Sequence, residues 1–135
     1  MKKVLILCTG NSCRSIIAEG MINSRFSNIK AFSSGVKASG SVNPNAKKIL
    51  EINNSWRDEY HSKTIETILN NDFDLIITVC DNAQENCPIF PKPIPIVHIG
   101  FEDPDGQSWE KFEQLWIDME KRILPQIKIL ASENG

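Results

Sequence analysis

The chain has 135 residues, 41% hydrophobic and 24% charged, with 15 Lys and Arg against 17 Asp and Glu for a formal charge of -2. That is the size of one ordinary globular domain covering residues 1–135, and its charge offers no basic field to hold a nucleic acid. The first apolar run, Val4 to Cys8, falls short of the roughly 7 to 15 residues of a signal-peptide core or the roughly 20 of a membrane span. The expectation is a cytoplasmic protein that engages no membrane. Four cysteines, Cys8, Cys13, Cys80 and Cys87, then call for a chemical explanation, because a reducing compartment does not favour structural disulfides.

In chain order, Lys3 to Leu7 is a continuous apolar run, the pattern of a parallel strand covered on both faces. After a short turn, Ala18, Met21, Ile22 and Phe26 repeat at helical spacing and predict a helix with one core face. Ala31 to Ser34 reads as a second strand closed by Gly35. Asn43-Pro44 starts a helix, with Asn as cap and Pro at the first helical position, and Ala46, Ile49 and Leu50 continue its core face. Leu75 to Val79 is a third strand ending at Cys80. Cys87, Pro88, Pro91, Pro93 and Pro95 mark a loop, followed by a strand-like run from Ile94 to Ile99 that Gly100 closes. Ser108 caps a last helix with Trp109, Phe112, Trp116, Met119 and Ile123 on one stripe, which Pro125 bends or ends. Ala131 to Gly135 reads as a frayed tail.

This alternation predicts an α/β fold: a small open parallel sheet of about four strands, flanked by helices, with right-handed crossovers. Ligands of such sheets bind beyond the carboxyl ends of the strands. Cys8, Cys80 and the segment around Asp103 all follow strand-like runs and so can converge on one rim.

The loop Cys8-Thr9-Gly10-Asn11-Ser12-Cys13-Arg14-Ser15 joins a strand to a helix. Its small, turn-prone residues let backbone N–H groups turn inward, and the positive end of the helix adds to them, so a tetrahedral oxyanion can be cradled there. Arg14 can grip two oxygens of that anion. A cation at the positive end of a helix costs about 0.3 to 1 kcal/mol unless an anion is present, so its position itself argues for a ligand. The same field is expected to lower the pKa of Cys8, and the Ser15 hydroxyl can hydrogen-bond its sulfur. The chemistry that follows is thiolate attack on phosphorus or arsenic.

Cys80 and Cys87 can be read as a redox pair, as buried free thiols or as zinc ligands. Zinc is disfavoured because neither spacing is a CxxC type and only His61 and His98 remain to complete a site. His98 follows an apolar run and reads as a packed strand-end residue. Were residues 80 to 87 helical, their Cα atoms would stand roughly 10 Å apart. A disulfide needs about 4.4 to 6.8 Å, so the segment must loop or unwind on oxidation. An Asp-Pro pair at Asp103-Pro104 offers a carboxyl group on a stiff loop anchored by Phe101, with Glu102 and Asp105 as competitors for the role of general acid.

Four segments, CTGNSCRS from Cys8, SSGVKASGSVNPNA from Ser33, LIITVCDNAQENCP from Leu75 and GFEDPDG from Gly100, resemble in order the low-molecular-weight protein tyrosine phosphatase superfamily, and more closely its thioredoxin-coupled arsenate reductase branch. The resemblance implies a three-layer, flavodoxin-like fold and the reduction of arsenate to arsenite. It implies a relay in which Cys8 is the nucleophile, Cys80 resolves the adduct and Cys87 carries the disulfide outward to thioredoxin. Arg14, Ser15 and Asp103 complete the catalytic set, and Thr9, Gly10, Asn11, Ser12, Cys13 and Arg14 form the oxyanion loop. No bound cofactor is implied, thioredoxin being an external reductant and arsenate or phosphate the oxyanion partner. Asn11, Glu19 and Ser34 match three ligands of a potassium site described for some members. The aspartate that completes that site has no counterpart in His61-Ser62-Lys63-Thr64. Ile99 also departs from the tryptophan common before Gly-Phe. Two other readings share these residues. One is a tyrosine phosphatase that hydrolyses a Cys8 phosphoenzyme, and the other a non-catalytic redox or oxyanion sensor signalling through Cys80 and Cys87.

Overall fold

Residues 1–68, 70–85 and 93–132 are described by a computed structural model of the chain. The strand-like runs form one parallel sheet in the order β2-β1-β3-β4, with β1 Lys2–Cys8, β2 Ile29–Gly35, β3 Leu75–Thr78 and β4 Ile96–His98. In the central strands Val4 to Leu7 and Leu75 to Thr78 are buried whichever way they point, as a sheet covered on both faces requires. On β2, Ser33 turns toward α1 (Arg14–Arg25) and donates to Glu19 Oε1 at 2.6 Å. Its neighbour Phe32 points the other way, edge-on to Phe73 with 5.5 Å between ring centres. β4 is shorter than the run Ile94 to Ile99 because Pro95 has no amide to donate. Its carbonyl still accepts from Ile76 at 2.9 Å.

α1 buries every residue from Ser15 to Ile22, more than the single stripe its periodicity foresees. The reason is a second neighbour, α2 (Pro44–Ile52): a methyl group on Gly20 would lie 2.5 Å from Leu50 Cδ2 and 2.9 Å from the Ser55 carbonyl oxygen. α2 opens as the Asn-Pro pair predicts, with Asn43 Oδ1 accepting from the amides of Asn45 and Ala46 at 2.8 and 3.4 Å. α3 (Asp81–Glu85) is a short helix directly after Cys80. α4 (Trp109–Arg122) buries Phe112, Leu115, Trp116 and Met119, and Ser108 takes its cap position without a side-chain capping bond. α1 and α4 are tied by Arg25, whose guanidinium lies 2.6 Å from Glu120 and faces the Trp116 ring.

Two elements correct the sequence reading. The helix with Trp109, Phe112 and Trp116 does end ahead of Pro125, at Arg122, but it is not the last: Pro125 stands second in α5 (Leu124–Ser132), a first-turn position where its missing N–H costs no bond. Ile127 and Leu130 bury that helix, so Ala131 and Ser132 are not a frayed tail; the Ala131 carbonyl accepts from Asn28 Nδ2 at 3.2 Å. A 3-10 turn, Ile65–Ile68, places both isoleucines in the core without any periodic signal. Among the described residues no helix is long and apolar enough to cross a membrane.

Candidate active site

The chain passes from β1 to β2 on one side and from β2 crosses to β3 on the other, so the strand order reverses and a crevice opens at the carboxyl end of β1. The loop from Cys8 to Ser15 fills it. Cys8 is 3% exposed, and its Sγ lies 2.8 Å from Ser15 Oγ and accepts from the Asn11 amide at 3.2 Å. Asn11 has a φ of 50°, a left-handed conformation that asparagine tolerates better than most residues. Its side chain donates to Ser15 Oγ at 2.7 Å and accepts from the Lys63 amide at 2.8 Å. The loop is also pinned from β2's end, where Val36, Lys37 and Ser39 amides donate to the carbonyls of Cys8, Thr9 and Gly10 at 3.0, 3.0 and 2.8 Å. Those bonds leave the loop little freedom to collapse over the sulfur.

Burial pushes the Cys8 thiol up from its ordinary value, while Ser15, the Asn11 amide and the Arg14 charge pull it back. The expectation of a net lowering is therefore corrected, because at this depth lost hydration outweighs the donors. Cys13 is raised as well, to about 12, again by burial; Ser12 Oγ lies 3.8 Å from its sulfur. Cys8, Cys13 and Cys80 are all free thiols.

Cys80 meets the loop from the end of β3. Its Sγ lies 3.2 Å from Thr9 Oγ1, on the residue next to the candidate nucleophile, and accepts from the Ala83 amide at 3.4 Å in the first turn of α3. Cys87 lies outside the described residues. His98, at the end of β4, is a packed strand-end residue: Nδ1 lies 2.8 Å from Thr78 Oγ1 and Nε2 lies 3.2 Å from Asp81 Oδ1.

The segment after β4 brings the third component. Arg14 Nη1 donates to the Phe101 carbonyl at 3.0 Å and Nη2 stands 3.6 Å from Asp103 Oδ2. Phe101 is buried and Arg122 lies over its ring at 4.6 Å, so the loop is anchored at that point as its aromatic residue suggests. Of the three carboxylates there, Asp103 is the one ion-paired with Arg14, whereas Asp105 turns away to accept from Asn43 Nδ2 at 2.6 Å. Arg14, Cys80, Asp81 and residues 100–103 line a recess of about 460 Å³. The Cys80 thiol, the guanidinium and a carboxyl group thus share one rim, beside the loop that carries Cys8.

Beneath the loop lies a buried polar cluster. Glu19 is 5% exposed and burial raises it to about 7, with Lys63 the foremost group pulling it down. Lys63 is itself lowered by burial and held up by Glu19, and its Nζ donates to the His61 carbonyl at 2.9 Å. Ser34 Oγ is buried with no hydrogen-bond partner. Sequence reasoning passed over Thr9 as a contact of Cys80, Lys63 as a support of Asn11, and Asn43 as more than a helix cap. Its one signal was Asn43 before Pro44, which fixes the cap and says nothing about where the amide nitrogen points.

Comparison with known proteins adds to the geometry. The profile of the family described as low molecular weight phosphotyrosine protein phosphatase matches residues 3–133. A protein named arsenate reductase from Brevibacillus brevis is 37% identical over 123 residues, 90% of this chain and 91% of that protein. One of the same name from Bacillus cereus strain G9842 is 39% identical over 116 residues, 84% of this chain and 85% of that protein. A crystal structure of arsenate reductase from Archaeoglobus fulgidus superposes with a TM-score of 0.78 at 28% identity, covering 96% of this chain and 99% of that one. A phosphotyrosine phosphatase from Vibrio cholerae reaches a TM-score of 0.84 over 100% of both chains at 19% identity, which bears on the fold alone.

Proposed function

Because this chain belongs to the low-molecular-weight phosphotyrosine protein phosphatase family, we propose that it turns the family's anion loop on arsenate and reduces it to arsenite. The observation that carries this reading is the second free thiol at the loop's mouth, Cys80 Sγ 3.2 Å from Thr9 Oγ1. Hydrolysis of a phosphoenzyme by water calls on no second thiol.

In this reading arsenate sits in the loop between backbone amides and Arg14. Cys8 Sγ attacks arsenic as its proton is lost, and an arsenate oxygen leaves as water after protonation from Asp103. Ser15 and the Asn11 amide hold the sulfur's developing charge. Cys80 then attacks Cys8 Sγ; the sulfur–arsenic bond breaks with its electron pair left on arsenic, so As(V) becomes As(III) and two thiols become one disulfide. Cys87 attacks Cys80, frees Cys8 and leaves a Cys80–Cys87 disulfide for a dithiol protein such as thioredoxin to reduce. Every electron comes from thiols, so the reading requires no flavin or nicotinamide.

Potassium has no part in it. Glu19 and the unpartnered Ser34 Oγ would suit a cation, but Asn11 Oδ1 already accepts from the Lys63 amide and the charge of Lys63 already acts on Glu19. The shared loop and acid do support a side activity on aryl phosphates, measurable with p-nitrophenyl phosphate.

The test is arsenite release under thioredoxin recycling. Cys13→Ser turns over repeatedly, Cys8→Ser and Cys80→Ser release none, and Cys87→Ser stops after one equivalent. Repeated turnover by Cys80→Ser overturns the reading.

A further inference from the structure

Two ties join the acid loop to the anion loop, and the reaction disturbs one of them. The first is Arg14, whose guanidinium reaches Phe101 O at 3.0 Å and Asp103 Oδ2 at 3.6 Å. An oxyanion in the loop competes for that guanidinium, since a bidentate grip on the substrate uses the same N–H groups. The second tie starts at Asn43. Its backbone amide donates to Ser12 O in the anion loop at 3.0 Å, its Oδ1 caps α2 at 2.8 Å from the Asn45 amide, and its Nδ2 donates to Asp105 Oδ1 at 2.6 Å. The Asp105 amide in turn donates to Asp103 Oδ1 at 3.0 Å. The line from Ser12 through Asn43 and Asp105 to the acid's own carboxylate is continuous. It asks nothing of Arg14.

We propose that Asn43 is a positioning residue for the general acid: its side chain, held rigid by the helix it caps, latches the Asp103 loop in register with the anion loop when the substrate engages Arg14. The proposal rests on Asp103 acting as the acid. The two jobs of Asn43 use different atoms, so substitution can part them. Asp caps a helix as well as Asn, yet carries no donor and repels Asp105. Changing Asp105 to Asn at the same time rebuilds the bond with donor and acceptor exchanged.

The experiment measures arsenite release in a single turnover of the prereduced protein across arsenate concentrations, with thermal melting alongside. Asn43→Asp is expected to slow the limiting rate about 3- to 10-fold, the loss of one solvent-exposed hydrogen bond, with half-saturation changed less than twofold. Asn43→Asp combined with Asp105→Asn recovers most of that rate, and Asn43→Ser, which caps but cannot reach, stays slow. A pure capping role predicts wild-type rates in Asn43→Asp and Asn43→Ser, and that result overturns the proposal, as does failure of the double variant to recover. Asp103→Asn separates the premises. If it releases arsenite at the wild-type rate, the acid assignment falls and the latch with it. If it is slow while Asn43→Asp is unaffected, the latch alone is wrong.

Discussion

At Cys8 two demands oppose each other: the sulfur must be shielded from water, and it must give up its proton. Burial wins in the direction of the shift, which makes each remaining donor count. Ser15→Ala removes the hydroxyl 2.8 Å from the sulfur, a buried group that also accepts from Asn11 Nδ2 at 2.7 Å. A hydrogen bond to a charged sulfur contributes about 1.5 kcal/mol, so iodoacetamide should alkylate Cys8 roughly tenfold more slowly at pH 7. An unchanged rate would mean that Ser15 does not hold the thiolate. Glu19 gives a pH test with a definite sign. Its folded value of about 7 lies above the ordinary 4.5, so the folded chain keeps a proton the unfolded chain releases. The stability tied to that proton is full below pH 4.5 and is lost as pH rises through about 7, by roughly 3 kcal/mol in all. Chemical denaturation of Glu19→Gln at pH 5 and pH 8 should therefore show a flatter pH dependence than wild type; parallel curves would refute the assignment.

At the scale of elements, the end of β2 presses on the anion loop. A methyl group on Gly35 would stand 2.4 Å from the Thr9 carbonyl oxygen and 3.1 Å from the Asn11 amide nitrogen, both backbone atoms that cannot swing aside. Gly35→Ala should cost about 2 to 3 kcal/mol in denaturant unfolding and slow arsenite release as well, because relief must come from the loop itself. Wild-type values for both would show that the contact has slack. The same scale shows what the chain's pattern reveals. β1, β3, α2 and α4 were legible because long apolar runs, an Asn-Pro start and a helical stripe each leave one solution. α5 was not, since Pro125 carries the same local signal whether it ends a helix or stands in the first turn of the next. The turn Ile65–Ile68 has too few residues to show a period at all.

For the whole molecule, a charge of -2 means that no long-range field gathers an anionic substrate; in the proposed reading capture is local, by the loop and Arg14. The order β2-β1-β3-β4 is what brings together Cys8, Cys80 and Asp103 from three separate strand ends. Their convergence was legible from the strand-like runs that precede them. The ties that hold the rim were not, because Asn43 and Asp105 meet across 62 residues and nothing in either segment announces the other. Lys63 is a third such case, and it yields a prediction for the protein as a whole. With the charge of Lys63 already acting on Glu19, melting temperature and arsenite release should be equal in potassium and sodium chloride at matched ionic strength. A potassium-specific gain would show that the buried cluster holds the ion.

The relay itself is tested most directly by mapping disulfides in Cys87→Ser after one equivalent of arsenate, using mass spectrometry without reduction. The account predicts a Cys8–Cys80 disulfide in step with one arsenite released per chain. Arsenite release with Cys80 still a free thiol, or with Cys8 joined to Cys13, would contradict it.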